Sequence, residues 1–318
     1  MRRSFRTFIG VDLGGGKGKT TALVRLRLEL EAGDREPLRP SERESLRNGD
    51  RLQVPQLTVE DAGIGRTFYD DRLLEYLLRH ADDAVVAMDA PLTLPACVRC
   101  TLPRCPGLSA CDVPTVRWFS TRSEAGSDKH GKPRYTPYTQ RATEVVLHED
   151  HGIMPRETLG QGMGPLTARM AYLKHALAGA YDLNRNLLEV YPKATLAQLF
   201  PDPEPPPPPR GISYLDGNGR PVGLDGKLAR GMRSEIAQRY KRSGHGPQIR
   251  SRVLGELPEL RFGPGQWRES LIQSDHAFDA LLCAYTAYLW ARDGWSLPGE
   301  PVFGEDGWIW IPPRRGRA

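Results

Sequence analysis

Five acidic residues stand where a strand or a helix begins or ends. Asp12 closes the apolar run 7–12, Asp89 follows the apolar run 84–88, and Glu189 lies in the run 186–191. Asp275 and Asp279 open a long apolar-periodic stretch, and their spacing of four puts both on one face of a helix. Ligands of open α/β sheets bind beyond the carboxyl ends of the strands. Carboxylates delivered there by neighbouring strands repel one another, and such groups commonly hold a divalent cation. The expected centre takes Mg2+ or Mn2+, with Asp12, Asp89 and Asp279 as ligands and Glu189 and Asp275 as further catalytic candidates. Each acid also has a plainer role. Asp12 and Asp89 could serve turns, Asp275 could favour a helix N-terminus capped by Ser274, and Glu189 could be a solvated strand residue. The same placement on separate elements favours a shared site. Asp279 sits among Phe278, Ala280 and Leu281, where a buried acid needs a partner.

A second group of ligand-type residues is Cys97, Cys100, Cys105 and Cys111, four of the five cysteines within one short segment. Clustered thiols in a reducing compartment read first as metal ligands. The spacing suits tetrahedral Zn2+, with an iron–sulfur cluster as the alternative and free or disulfide-bonded thiols as the plain reading. Cys283 falls on the apolar side of the last helix and reads as core. Basic residues including Arg99, Arg117, Arg122, Lys129, Lys132 and Arg141 surround or follow the thiols, interleaved with Trp118, Phe119, Tyr135 and Tyr138. That mixture suits a nucleic-acid backbone with stacked bases, or a solvated loop with packing aromatics.

These side chains need elements to position them. Residues 7–12 read as a buried strand ending at Gly14-Gly15-Gly16, and 20–30 alternate as its hairpin partner. A third strand is expected at 51–59, interrupted by Pro55, and a helix at 69–80. Residues 84–88 form a short buried strand. The stretch 95–160 reads as a loop-rich insertion holding the cysteines. Further expectations are a helix at 165–177, a strand at 186–191 and a short helix at 194–200. A second insertion spans 200–265, bounded by five consecutive prolines and including an exposed helix at 225–242. The strong helix 274–291 then follows, and a final hairpin around 305–311. Together these imply one α/β domain over the 318 residues, with a five-stranded mixed sheet flanked by helices.

Lys and Arg number 44 against 39 Asp and Glu, a balance that permits a nucleic-acid partner without requiring one. No apolar run approaches the roughly 20 residues that span a bilayer, and the N-terminal run is too short for a secretory signal. The expectation is a cytoplasmic protein without membrane contact, and a homodimer is left open.

The blocks Gly10-Val-Asp-Leu-Gly14, Met88-Asp-Ala-Pro-Leu92, Glu189-Val-Tyr-Pro-Lys193 and Ser274-Asp-His-Ala-Phe-Asp-Ala-Leu281 resemble the domain-of-unknown-function 429 family, DUF429. Members of that family are described as predicted nucleases of the ribonuclease H-like superfamily. The resemblance implies a five-stranded ribonuclease H-like sheet, with acids on the first strand (Asp12), the fourth strand (Asp89) and the last helix (Asp275 or Asp279). It also implies phosphodiester hydrolysis, in which two metal ions about 4 Å apart clamp the attacking and leaving oxygens. Lys17, Lys19, Lys193 and Arg117 are then candidates for holding substrate phosphates. His276 reads as a ligand, an acid or a structural histidine. Two other functions remain open. The turn Asp12–Gly15 also resembles that of actin-like phosphotransferases, and a fold without catalysis could simply bind nucleic acid. A P-loop is disfavoured, since its first glycine position falls on Leu13.

Overall fold

The computed structural model describes residues 5–15, 19–29, 56–65, 70–124, 135–202, 234–263 and 267–315. Strand β1 (Thr7–Asp12) pairs antiparallel with β2 (Thr21–Glu29), and β2 pairs antiparallel with β3 (Gln56–Gly65). Helix α1 (Asp70–Arg79) leads to β4 (Ala84–Met88), which lies parallel to β1. Strand β5 (Leu187–Val190) lies parallel to β4. These strands form a mixed sheet with helices on both faces, in the order β3-β2-β1-β4-β5 at its centre.

The sheet has seven strands rather than five. Strand β6 (Leu260–Phe262) adds in parallel to the β3 edge, and β7 (Ile309–Trp310) adds in parallel to the β5 edge. Residues of the expected second insertion thus complete one sheet edge. The C-terminal residues do not form a hairpin, because Gly307 turns the chain at φ 78° so that the strand runs alongside β5. The third strand runs to Gly65, and residues 51–55 of the strand expected at 51–59 lie outside the described residues.

The cysteine-bearing stretch also holds more helix than expected. It contains α2 (Ala96–Arg99), α3 (Pro114–Glu124) and α4 (Ala142–His151). Then come α5 (Gly164–Ala176), α6 (Pro192–Leu199), α7 (Glu235–Arg239), α8 (Gly246–Gly255), α9 (Trp267–Gln273), α10 (Asp275–Asp293) and α11 (Val302–Asp306). The expected exposed helix at 225–242 falls partly outside the described residues. Its described part, α7 and the residue after it, buries Ala237 and Tyr240.

Side-chain alternation sorts the sheet into two cores. Phe8, Val85, Ala87, Leu188 and Val190 face one apolar cluster, together with α6, α7 and α10. Ile9, Val11, Val86, Met88 and Leu187 face the other, together with α1 and α5. This period of two decides which acids can meet. No helix among the described residues is long and apolar enough to cross a membrane.

Helix α10 holds the first core together. Ser274 caps it by accepting a hydrogen bond from the Ala277 N–H at 3.2 Å, and Gly294 ends it in the left-handed conformation at φ 66°. Every residue from 277 to 291 is buried, so the helix is central and not merely amphipathic. It lies so close to β1 that a Cβ on Gly10 would fall 1.9 Å from the Ala280 carbonyl oxygen and 2.4 Å from the Ala284 nitrogen. Gly10→Ala must therefore push the helix off the sheet. We expect it to cost about 2 kcal/mol or more of unfolding free energy in urea denaturation. A loss below about 0.5 kcal/mol would contradict this packing.

Candidate metal centre

Strand register and side-chain parity bring three acids together. Val11 pairs with Met88 in the parallel β1/β4 ladder, so Asp12 and Asp89, the next residues, emerge side by side. The Asp89 N–H bonds the Val11 carbonyl at 2.9 Å, which continues the ladder past the end of β4. Residues 8, 10 and 12 of β1 and residues 85, 87 and 89 share the face on which α10 packs. Asp279, in the second turn of α10, completes the group. One carboxylate oxygen from each of Asp12, Asp89 and Asp279 lies within 4.8 Å of the others. No other set of three carboxylate, imidazole or thiolate ligands meets that spacing among the described residues.

The surrounding groups respond to this crowding of charge. Burial, with the charges of Asp12 and Asp279 beside it, pushes the Asp89 carboxyl well above the usual carboxylate range. Burial raises Asp279 to about 7, even though Lys241 pulls it down. Asp279 accepts a hydrogen bond from the Tyr240 hydroxyl at 2.9 Å and pairs with the Lys241 ammonium. Asp12 is 2.6 Å from Nδ1 of His276, and this hydrogen bond raises the imidazole pKa. Burial and the charge of Asp89 raise the nearby Tyr191 hydroxyl to about 12. Such an arrangement suits a divalent cation, which would relieve the repulsion and satisfy the carboxylates at once.

Glu189 stands apart because of parity. It is flanked by Leu188 and Val190, which face α10, so it points to the opposite face. There Arg141 grips it in a fork, with Nη1 at 2.7 Å and Nη2 at 2.5 Å from its two oxygens. Arg141 also reaches Glu144 through Nε at 3.0 Å and Thr93 through Nη1 at 3.0 Å. Burial works against its charge, but Glu189 and Glu144 outweigh burial and keep the guanidinium protonated. Glu189 accepts the Leu92 N–H at 2.8 Å, and Lys174 donates to the Leu92 carbonyl at 3.0 Å. This network pins the segment that follows Asp89. Glu189 is therefore a support of the site rather than a member of the carboxylate trio.

The remaining candidates are dispersed. Asp275 sits in the first turn of α10, where its Oδ1 accepts the His276 N–H at 3.1 Å, and it is not among the three convergent acids. Lys19 is exposed, Lys193 is half-buried at the start of α6, and Lys17 lies outside the described residues. Arg117 is exposed on α3 and pairs with Asp112. Cys97 and buried Cys111 share a small apolar cluster, Cys100 and Cys105 are exposed, and none of the four forms a disulfide. Burial and the other three cysteines raise the Cys97 thiol.

The basic and aromatic stretch is largely used internally. Arg141 is buried, Arg99 pairs with Asp306, and Arg122 pairs with Glu149 and lies 4.3 Å from the Trp118 ring centroid. Phe119 and Tyr135 are core residues, whereas Tyr138 is exposed. Lys129 and Lys132 fall outside the described residues. Sequence reasoning missed Tyr240 and Lys241. They lie 39 and 38 residues before Asp279, and nothing in their local pattern marks them as its partners.

Residues 228–302 match the family model described as protein of unknown function, DUF429. This supports the family resemblance read from the sequence. The matched segment contains Tyr240, Lys241, His276 and Asp279, while Asp12 and Asp89 precede it. No curated protein and no solved structure matches the chain.

The buried Arg141 cluster makes a direct prediction. Arg141→Met leaves Glu189 and Glu144 buried without their countercharge, and we expect a loss of about 3–5 kcal/mol in chemical denaturation. A loss under about 1 kcal/mol would show that the cluster does not support this part of the fold.

Proposed function

We propose that this chain is a metal-dependent phosphodiester hydrolase, a nuclease of ribonuclease H-like architecture, in which Asp12, Asp89 and Asp279 hold Mg2+ or Mn2+. The observation that carries this reading is the convergence of Asp12 and Asp89, at adjacent parallel strand ends, with Asp279 from α10. The architecture is supported by the five central strands, and by acids at the places the family resemblance implies: first strand, fourth strand and closing helix.

A divalent ion bound there would polarise a phosphoryl oxygen and lower the pKa of a bound water. The chain's own residues supply the rest. The seam between β1 and β4 fixes Asp12 beside Asp89, and α10 brings Asp279 against both. His276 is half-exposed, and with Nδ1 hydrogen-bonded to Asp12 its Nε2 is the ring nitrogen that can exchange a proton with solvent. Lys241 borders the carboxylates and is placed to attract a phosphate backbone toward the centre.

The test uses purified wild type and Asp12→Asn with labelled single-stranded, duplex and branched DNA and RNA, in Mg2+, Mn2+ or chelator. We expect metal-dependent cleavage by the wild type and background cleavage by the variant. No cleavage of any substrate by folded wild type would overturn the reading. Stabilisation by ATP would then favour a phosphotransferase. Salt-sensitive nucleic-acid binding indifferent to Asp12→Asn would favour a binding protein.

A further inference from the structure

Lys241 follows α7 directly after Tyr240, and the two approach Asp279 together. Tyr240 donates to Asp279 Oδ1 at 2.9 Å, and the Lys241 ammonium meets Oδ2. The lysine also lies across its neighbour's ring, with Nζ 5.6 Å from the Tyr240 centroid. Asp279 is wholly buried, whereas the Lys241 side chain is about half exposed. The lysine thus reaches the innermost acid with a side chain that extends to the surface, the side from which substrate would approach.

Charge counting separates one ion from two. With a cation bound and all three acids ionised, the carboxylates and the Lys241 ammonium leave two negative charges, which a single divalent ion neutralises. A second divalent ion would have to share Asp279 with the ammonium. It would sit within a few ångströms of both that charge and the first ion, in a partly buried setting where like charges repel strongly. The ammonium already supplies a positive charge fixed beside the acids and able to meet a phosphate oxygen.

We propose that Lys241 takes the place of a second divalent ion, so that the Asp12–Asp89–Asp279 centre holds one ion and the lysine supplies the other positive charge facing the substrate. The role toward phosphate rests on the hydrolase reading; the ion count rests on the three acids and on the ammonium that already occupies Asp279.

The experiment counts Mn2+ bound per folded chain, by electron paramagnetic resonance of free Mn2+ during titration. It compares wild type, Lys241→Met, Lys241→Arg and Asp89→Asn, and counts only ions lost in Asp89→Asn. We expect one ion in wild type and in Lys241→Arg, and two in Lys241→Met. If Lys241→Met fails to fold, Lys241→Gln replaces it. Two ions in wild type would overturn the inference and leave the hydrolase reading standing. One ion in both wild type and the uncharged variant would also overturn it, since the lysine would then not exclude the second. No ion in wild type would overturn the inference together with the metal centre.

Discussion

Three carboxylates held within 4.8 Å repel one another, and much of the structure near the end of β1 serves to keep them there. The β1/β4 register fixes two of them as neighbours. The third arrives on a helix that can come close enough only because residue 10 has no side chain. The helix is held down by burial on all sides, each large apolar side chain contributing roughly 1.5–3 kcal/mol. Apolar burial in α10 thus offsets the electrostatic cost of the acids it helps to assemble. Tyr240, Lys241 and His276 then surround the acids with a hydroxyl donor, a fixed cation and a titratable ring.

The opposite face solves a different problem. The chain after Asp89 must turn sharply and still keep its backbone groups paired. Glu189 and Lys174 take the Leu92 N–H and carbonyl, and Arg141 neutralises Glu189 out of water. Asp306 extends the support by accepting the Ala142 N–H at 2.9 Å and pairing with Arg99. Through Arg99 and Ala142, both ends of the cysteine-bearing stretch are tied to α11, and Thr93 bonds the Asp306 carbonyl. Two acids at neighbouring strand ends thus differ in role by a single residue of parity. Asp89 faces α10 and joins the centre, whereas Glu189 faces away and braces the loop.

Much of this was legible in the amino-acid sequence. Strands β1, β2, β4 and β5 and the closing helix follow from apolar periodicity, and the three convergent acids follow from their positions at strand and helix ends. The losses have physical causes. β6 is three residues long, too short for any period to show, and β7 lies in the stretch expected to form a hairpin; both exist through pairing with distant edges. Arg141 read as a surface cation because its two carboxylate partners come from different elements, and only tertiary structure shows that it is buried. Lys241 read as part of an exposed helix, since its partner Asp279 lies across the described packing of α7 against the core. The parity of Glu189 was present in its alternation with Leu188 and Val190, but the sequence alone does not say which face receives α10.

The most direct test of the account is a crystal of the protein soaked in Mn2+, with anomalous scattering recorded to locate the ion. The account predicts a strong peak ligated by oxygens of Asp12, Asp89 and Asp279. Mn2+ bound only elsewhere, or no peak between these residues at saturating metal, would contradict it.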